Sequence, residues 1–129
     1  MRVIIKDIVA KGLPASKLVL IPTPPNDPAP WKAFLEARDG VAMPAPPKNN
    51  ELNRQYYEAG LELAKEFGLD AVELWDALDG PENFCDGLHF SEKGSEALFK
   101  LLLPKIEAKT GDLPMQQPEW KAMAYKKLD

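Results

Sequence analysis

Two short apolar runs limit what this chain can fold into more than any other feature. They are Lys17-Leu18-Val19-Leu20-Ile21-Pro22 and Ala71-Val72-Glu73-Leu74-Trp75. A continuous apolar run of this length fits a strand buried on both faces, as in a parallel sheet. Pro22 ends the first run, because proline cannot donate to a ladder. Helical patterns precede the first run, separate the two, and follow the second. The order helix, strand, helix, strand, helix reads as βαβ units with right-handed crossovers onto a parallel sheet. The predicted fold class is therefore α/β. In such sheets ligands sit beyond the carboxyl ends of the strands. The segments after both runs leave from that edge, which marks it as the place for a site.

Residues 2–11 carry Val3, Ile4, Ile8 and Val9 on one face, with Gly12 as a stop and Pro14 beyond. Residues 50–67 form the clearest helix, with Leu52, Tyr56, Leu63 and Phe67 at helical spacing. Asn49 or Asn50 can cap its start and Gly68 closes it. Ser91 caps a third helix, with Glu92 favourable in its first turn. Ala97, Leu98, Leu101 and Leu102 are its inward stripe, and Pro104 is expected to kink or restart it. Tyr57 joins the predicted core. The tail 111–129 carries a last helical turn or two around Trp120 to Lys127.

Of thirteen prolines, eight cluster at residues 22–30 and 44–47. Residues 22–48 therefore read as a long loop that lines a site, with room for a short helix over 31–38. Trp31 and Phe34 in that loop either line a substrate pocket or anchor the loop. Pro25-Asn26-Asp27 reads as a turn.

The chain's one histidine stands in Phe84-Cys85-Asp86-Gly87-Leu88-His89-Phe90-Ser91. Histidine is the side chain whose ordinary pKa lets it take and give a proton near neutral pH. A carboxylate three residues earlier, Asp86, can fix the ring's tautomer and stabilise the imidazolium. Gly87 suits a turn between the pair, and Gly94 a close approach in the next helix. No convincing nucleophile accompanies them. Ser91 reads as a cap, Ser16 and Ser95 have no motif around them, and Cys85 reads as a packed small residue.

Composition excludes some partners. A formal charge of −4 over 129 residues argues against nucleic acid and anionic membranes. No apolar run approaches the roughly 20 residues of a membrane span. One cysteine makes no internal disulfide, so a reducing, cytoplasmic setting is expected. One histidine and one cysteine give no metal-ligand spacing, and no cofactor is expected. With 45% apolar residues there is material for a core, yet two strands make a small parallel sheet. The first strand keeps an unpaired apolar edge, and the first helix has no cap. Both features lead to the expectation that the chain begins partway through a larger domain.

Asp86-Gly87-Leu88-His89, followed by Ser91, Lys93 and Gly94, resembles the last motif block of the SGNH (GDSL-type) hydrolases. Leu20-Ile21-Pro22-Thr23-Pro24-Pro25, the asparagine-led helix, Val72-Glu73-Leu74-Trp75 and Leu113-Pro114 through Pro118-Glu119-Trp120 resemble its isoamyl acetate-hydrolysing esterase branch. The resemblance implies a three-layer α/β/α sandwich of flavodoxin-like type, of which residues 1–129 are the C-terminal part of one domain. It implies cleavage of small carboxylic esters through an acyl-serine, with His89 as general base and Asp86 as its orienting carboxylate. The family's Gly-Asp-Ser block and its oxyanion glycine and asparagine have no counterpart here. The chain alone is therefore expected to lack activity. The competing expectation is a non-catalytic remnant that binds a partner, or a second copy, through its open strand edge. A third and remote expectation is a hydrolase using Cys85.

Overall fold

The computed structural model describes residues 1–111. The helical turns expected around Trp120 lie outside the described residues. Helix α1 (Arg2–Ala10) leads through a short 3-10 turn into strand β1 (Val19–Leu20). Helices α2 (Pro28–Asp39) and α3 (Asn50–Phe67) connect β1 to strand β2 (Asp70–Ala71). Two further 3-10 turns and the Asp/His loop precede helix α4 (Glu92–Thr110).

The strands pair in parallel, with Val19 opposite Asp70 and Leu20 opposite Ala71. This open, two-stranded parallel sheet with four α-helices is the expected α/β arrangement. Its ladder is shorter than the two apolar runs. The N–H of Val72 still donates to the carbonyl of Leu20 at 2.9 Å, but that of Leu74 turns back to Val72 at 3.1 Å. The backbone then enters a 3-10 turn at Asp76–Leu78, so the second run leaves the sheet after Val72.

Successive strand residues point to opposite faces of a sheet. Val19 packs with Val72, Leu74 and Leu78 against Ala97, Leu98, Leu101 and Leu102 of α4, as the stripe on that helix predicted. Leu20 instead faces a hollow lined by Tyr56, Gly60 and Leu63 of α3. Helices α3 and α4 therefore lie on opposite faces of the sheet, giving helix, sheet and helix layers. Asp70, on the α4 face with Val19, makes its ion pair with Lys109 at 2.5 Å.

Three expectations about faces and loops need correction. Residues 22–48 hold the helix expected over 31–38, but it is longer, and α2 fills 12 of them. Pro28 and Pro30 sit in the first turn of α2, where no intrahelical N–H is lost, and Gly40 closes it at φ 67°. Helix α1 turns Ile5 inward and leaves Val3, Ile4 and Val9 exposed. It touches the body near the end of α3, where Arg2 pairs with Glu66, and Ile8 is half-buried. Helix α3 buries Tyr57, Leu63 and Ala64, while Leu52 and Tyr56 are exposed. The Tyr57 ring packs 5.4 Å from that of Trp75, and this contact sets the helix's rotation. Helix α4 runs through Pro104 without restarting.

The capping predictions are met. Asn49 Oδ1 accepts from the N–H of Leu52 at 2.8 Å, and Gly68 closes α3 at φ 64°.

Candidate active site

The turn that carries the histidine is fixed from both ends. Phe84 and Phe90 form an isolated antiparallel bridge, their rings 6.0 Å apart. Inside it, the N–H of Cys85 donates to the carbonyl of His89 at 2.8 Å. Asp86 Oδ1 accepts from the N–H groups of both Leu88 (2.9 Å) and His89 (2.8 Å). This is an aspartate closing its own turn, a short-range arrangement to which its side-chain length is suited. Asp86 Oδ2 lies 2.7 Å from His89 Nδ1. One carboxylate thus holds both the backbone and the ring.

An ionised carboxylate can only accept, so His89 Nδ1 carries the proton and Nε2 presents a lone pair. The Asp86 side chain is 14% exposed and that of His89 is 69% exposed. Burial pushes the Asp86 carboxyl up, but the N–H of His89, its imidazole and the N–H of Leu88 together outweigh this. They hold the group at about 2. The pair is a fixed carboxylate behind an accessible base.

The two loops at the carboxyl edge meet, as the topology predicted. The N–H of Asp27 donates to the carbonyl of Gly87 at 2.8 Å. Gly87 has φ +91°, and a Cβ there would run into the carbonyl of Asp27 and the N–H of Trp31 at 2.6 Å. The first turn of α2 therefore lies directly on the Asp/His turn. Gly94 meets its prediction too, with the carbonyl of Asn83 where a Cβ would stand. Trp31 is buried and stacks on Phe34 at 5.5 Å, and its ring meets that of His89 edge-on at 5.8 Å. These two aromatics form a wall beside the histidine. They line neither the hollow of about 480 Å³ between residues 25–28 and 75–84 nor that of about 340 Å³ beside β1.

Ser91 caps α4, accepting from the N–H of Gly94 at 3.2 Å and donating to the carbonyl of Glu82 at 2.6 Å. Cys85 is exposed rather than packed, with its thiol 3.4 Å from the carbonyl of Phe90. Among the described residues, the imidazole's one hydrogen-bond partner is Asp86.

The segment at 25–27 is not a turn. It is extended, and Asn26 is buried. Its backbone is held by Asn50 and its side chain by Asn53. These asparagines were missed because Asn26 looks like a turn residue and Asn50 like a cap. The available signal was three asparagines at 49, 50 and 53 facing a proline-rich segment with a fourth.

The Asp86/His89 pair, at the carboxyl edge of an α/β sheet with its tautomer fixed, has the geometry to take and return a proton. No family model matches the chain. The isoamyl acetate-hydrolyzing esterase 1 homolog of Bos taurus is 33% identical over 132 residues, covering 96% of this chain and 50% of its own length. The Homo sapiens protein of the same name is 39% identical over 87 residues, or 62% of this chain and 35% of that protein. A GDSL esterase/lipase of Oryza sativa subsp. japonica is 36% identical over 81 residues, 59% of this chain and 30% of its own length. The chain belongs to the SGNH (GDSL-type) hydrolase family. It spans half the length of the bovine relative and less of the others named here.

Proposed function

We propose that residues 1–129 are one part of a single SGNH hydrolase domain and carry the proton-handling half of a Ser-His-Asp triad. The whole protein would cleave small carboxylic esters, acetates among them. His89 Nε2 would take the proton of a serine hydroxyl and then give it to the departing alkoxide. Asp86 would hold the ring and stabilise the imidazolium between those steps. The observation that carries this reading is the 2.7 Å contact between Asp86 Oδ2 and His89 Nδ1, with Nε2 on the open side. The relatives named esterases support it. Trp31 and Phe34, beside the imidazole, would form one wall of the acyl or alcohol site.

The 129 residues contain no Gly-Asp-Ser, so on this reading the nucleophile comes from a segment outside this sequence. A base without a nucleophile performs no acyl transfer. The deciding experiment is hydrolysis of a chromogenic acetate ester by the chain alone and by the chain supplied with a Gly-Asp-Ser-bearing segment of a relative. Turnover only in the second case, lost in His89→Ala, is the expected result. Equal turnover in wild type and His89→Ala would end the proposal.

A second reading, a binding partner without catalysis, is favoured by one observation. The far edge of β1 has no strand beside it among the described residues, and Ile21 next to it is 45% exposed. Such an edge accepts a strand from another chain or a second copy. Activity that disappears in His89→Ala separates the two. The lone cysteine fits a reducing, cytoplasmic setting for either.

A further inference from the structure

We propose that Asn50, which touches neither the imidazole nor its carboxylate, is a positioning residue for His89. This rests on the triad reading only for its catalytic consequence. The structural part concerns the imidazole itself.

Four successive contacts make the connection. The Asn50 side chain accepts from the N–H of Asn26 at 2.9 Å and donates to the carbonyl of Asn26 at 2.7 Å. Both backbone groups of Asn26 are thus held by one amide, as a neighbouring strand would hold them. Asn53, one turn further along α3, donates to Asn26 Oδ1 at 2.7 Å. The next residue, Asp27, donates its N–H to the carbonyl of Gly87 at 2.8 Å. Gly87 lies between Asp86 and His89, and its peptide is the centre of the turn that Asp86 closes.

Three features make this a placement device rather than an ordinary loop anchor. Asn26 Nδ2 is buried and has no partner among the described residues. An unpaired buried donor loses its hydration without a replacement, so the segment is held there against a local penalty. The contact at Gly87 has no slack, because even a methyl group would overlap Asp27 and Trp31. A shift of Asn26 therefore passes to the Gly87 peptide instead of being absorbed. Trp31 moves with the same segment, since its N–H bonds to the carbonyl of Asp27 at 3.4 Å. Its ring borders the imidazole. Releasing the clamp thus loosens the histidine from behind and from the side.

The chain has a single histidine, so its two ring nitrogens give one pair of signals in a nitrogen-15 NMR spectrum. The test uses the full 129-residue chain on the alkaline plateau of the imidazole signals. In the wild type the Nδ1 and Nε2 shifts stand far apart, reporting one tautomer with the proton on Nδ1. Asn50→Ala brings the two shifts toward each other as both tautomers become populated. Leu63→Ala removes a buried side chain from the same helix without touching the clamp. It leaves the shifts apart even where it lowers the melting temperature as much. Asn50→Asp keeps the acceptor, loses the donor, and gives an intermediate separation; it decides the matter if Asn50→Ala does not fold. Unmoved shifts in the Asn50 variants, or equal movement in Leu63→Ala, overturn the proposal. A wild-type spectrum already showing mixed tautomers overturns both it and the triad reading. A fixed wild-type tautomer that ignores Asn50 overturns only the clamp.

Discussion

Beyond β2, Val72, Leu74 and Leu78 are at most 1% exposed and the half-buried residues of α4 close over them. Beyond β1, Ile21 and Tyr56 stand open around an apolar hollow, with Val3 and Ile4 exposed on α1. Both flanks belong to the same two-stranded sheet and draw on similar residues. The difference lies in what covers them. On the β2 flank most of the covering residues follow in the next stretch of chain, through Phe84, Phe90 and α4. On the β1 flank the neighbours would have to come from residues other than the described ones. The Asp86/His89 turn follows the covered flank, between its 3-10 turns and α4.

The sharpest way to break the comparison is to ask whether that geometry has chemical value. In a preparation that hydrolyses small acetate esters, Asp86→Asn is expected to lower kcat by about 10⁴-fold, or about 5 kcal/mol of barrier. His89→Ala should cost at least as much, with little change in KM. Retention of most of the rate in Asp86→Asn would reduce the ordered turn to a structural ornament.

Next in size is the core that supports the turn. Leu74 is fully buried among Val72, Leu78 and the α4 stripe, so Leu74→Ala leaves a cavity. A loss of about 2–5 kcal/mol in urea unfolding is expected. A matching truncation on the other flank, Ile21→Ala, should cost about 0.5 kcal/mol or less. Equal losses at the two positions would mean that the flanks are finished to the same degree.

A third test uses pH. Asp86 titrates at about 2 in the folded chain, against an ordinary value of 3.8. Its contribution to stability is complete above 3.8 and is lost as the pH falls through about 2, because the unfolded chain binds the proton first. Glu82 and Glu96 are also held low by lysine partners, and Asp70 by Lys109, so total stability falls in the same range. The difference between wild type and Asp86→Asn isolates the one group. Urea midpoints at pH 5 and pH 2 should converge for the two proteins at the lower pH. A constant gap would show that the carboxylate's hydrogen bonds do not depend on its charge.

The legible part of this fold was whatever depends on neighbours close in sequence. Asn49 and Ser91 as caps, Gly68 as a stop and the α4 stripe all follow from local chemistry, and so does the reach of Asp86 back to its own turn. The parallel order of the strands followed from alternation, and with it the meeting of Asp27 and Gly87 at one edge. The missed features are set by partners far along the chain. Helical periodicity places Leu52 and Tyr56 with Leu63, but only the contact between Tyr57 and Trp75 decides which way α3 rolls. Pro28 and Pro30 look like loop residues until their position in a first turn is known. Asn26 resembles a turn residue, and nothing local says that Asn50 and Asn53 will enclose it.

The smallest expected effect is also the most informative about the open flank. Ile21 follows β1 directly, borders the apolar hollow and is nearly half exposed. Replacing an exposed apolar residue beside an edge strand with lysine is a common natural guard against pairing. Within the single chain, Ile21→Lys removes little buried area, so its unfolding free energy should shift by no more than about 0.5 kcal/mol. If the edge is where a strand from elsewhere adds, the same change places a charge inside that junction. Association measured by sedimentation should then fall, as should activity restored by a Gly-Asp-Ser-bearing segment. A wild-type chain that sediments as a monomer at every concentration, takes up no such segment and is indifferent to Ile21→Lys would remove the contrast between the flanks. The exposed apolar residues around β1 would then be ordinary surface.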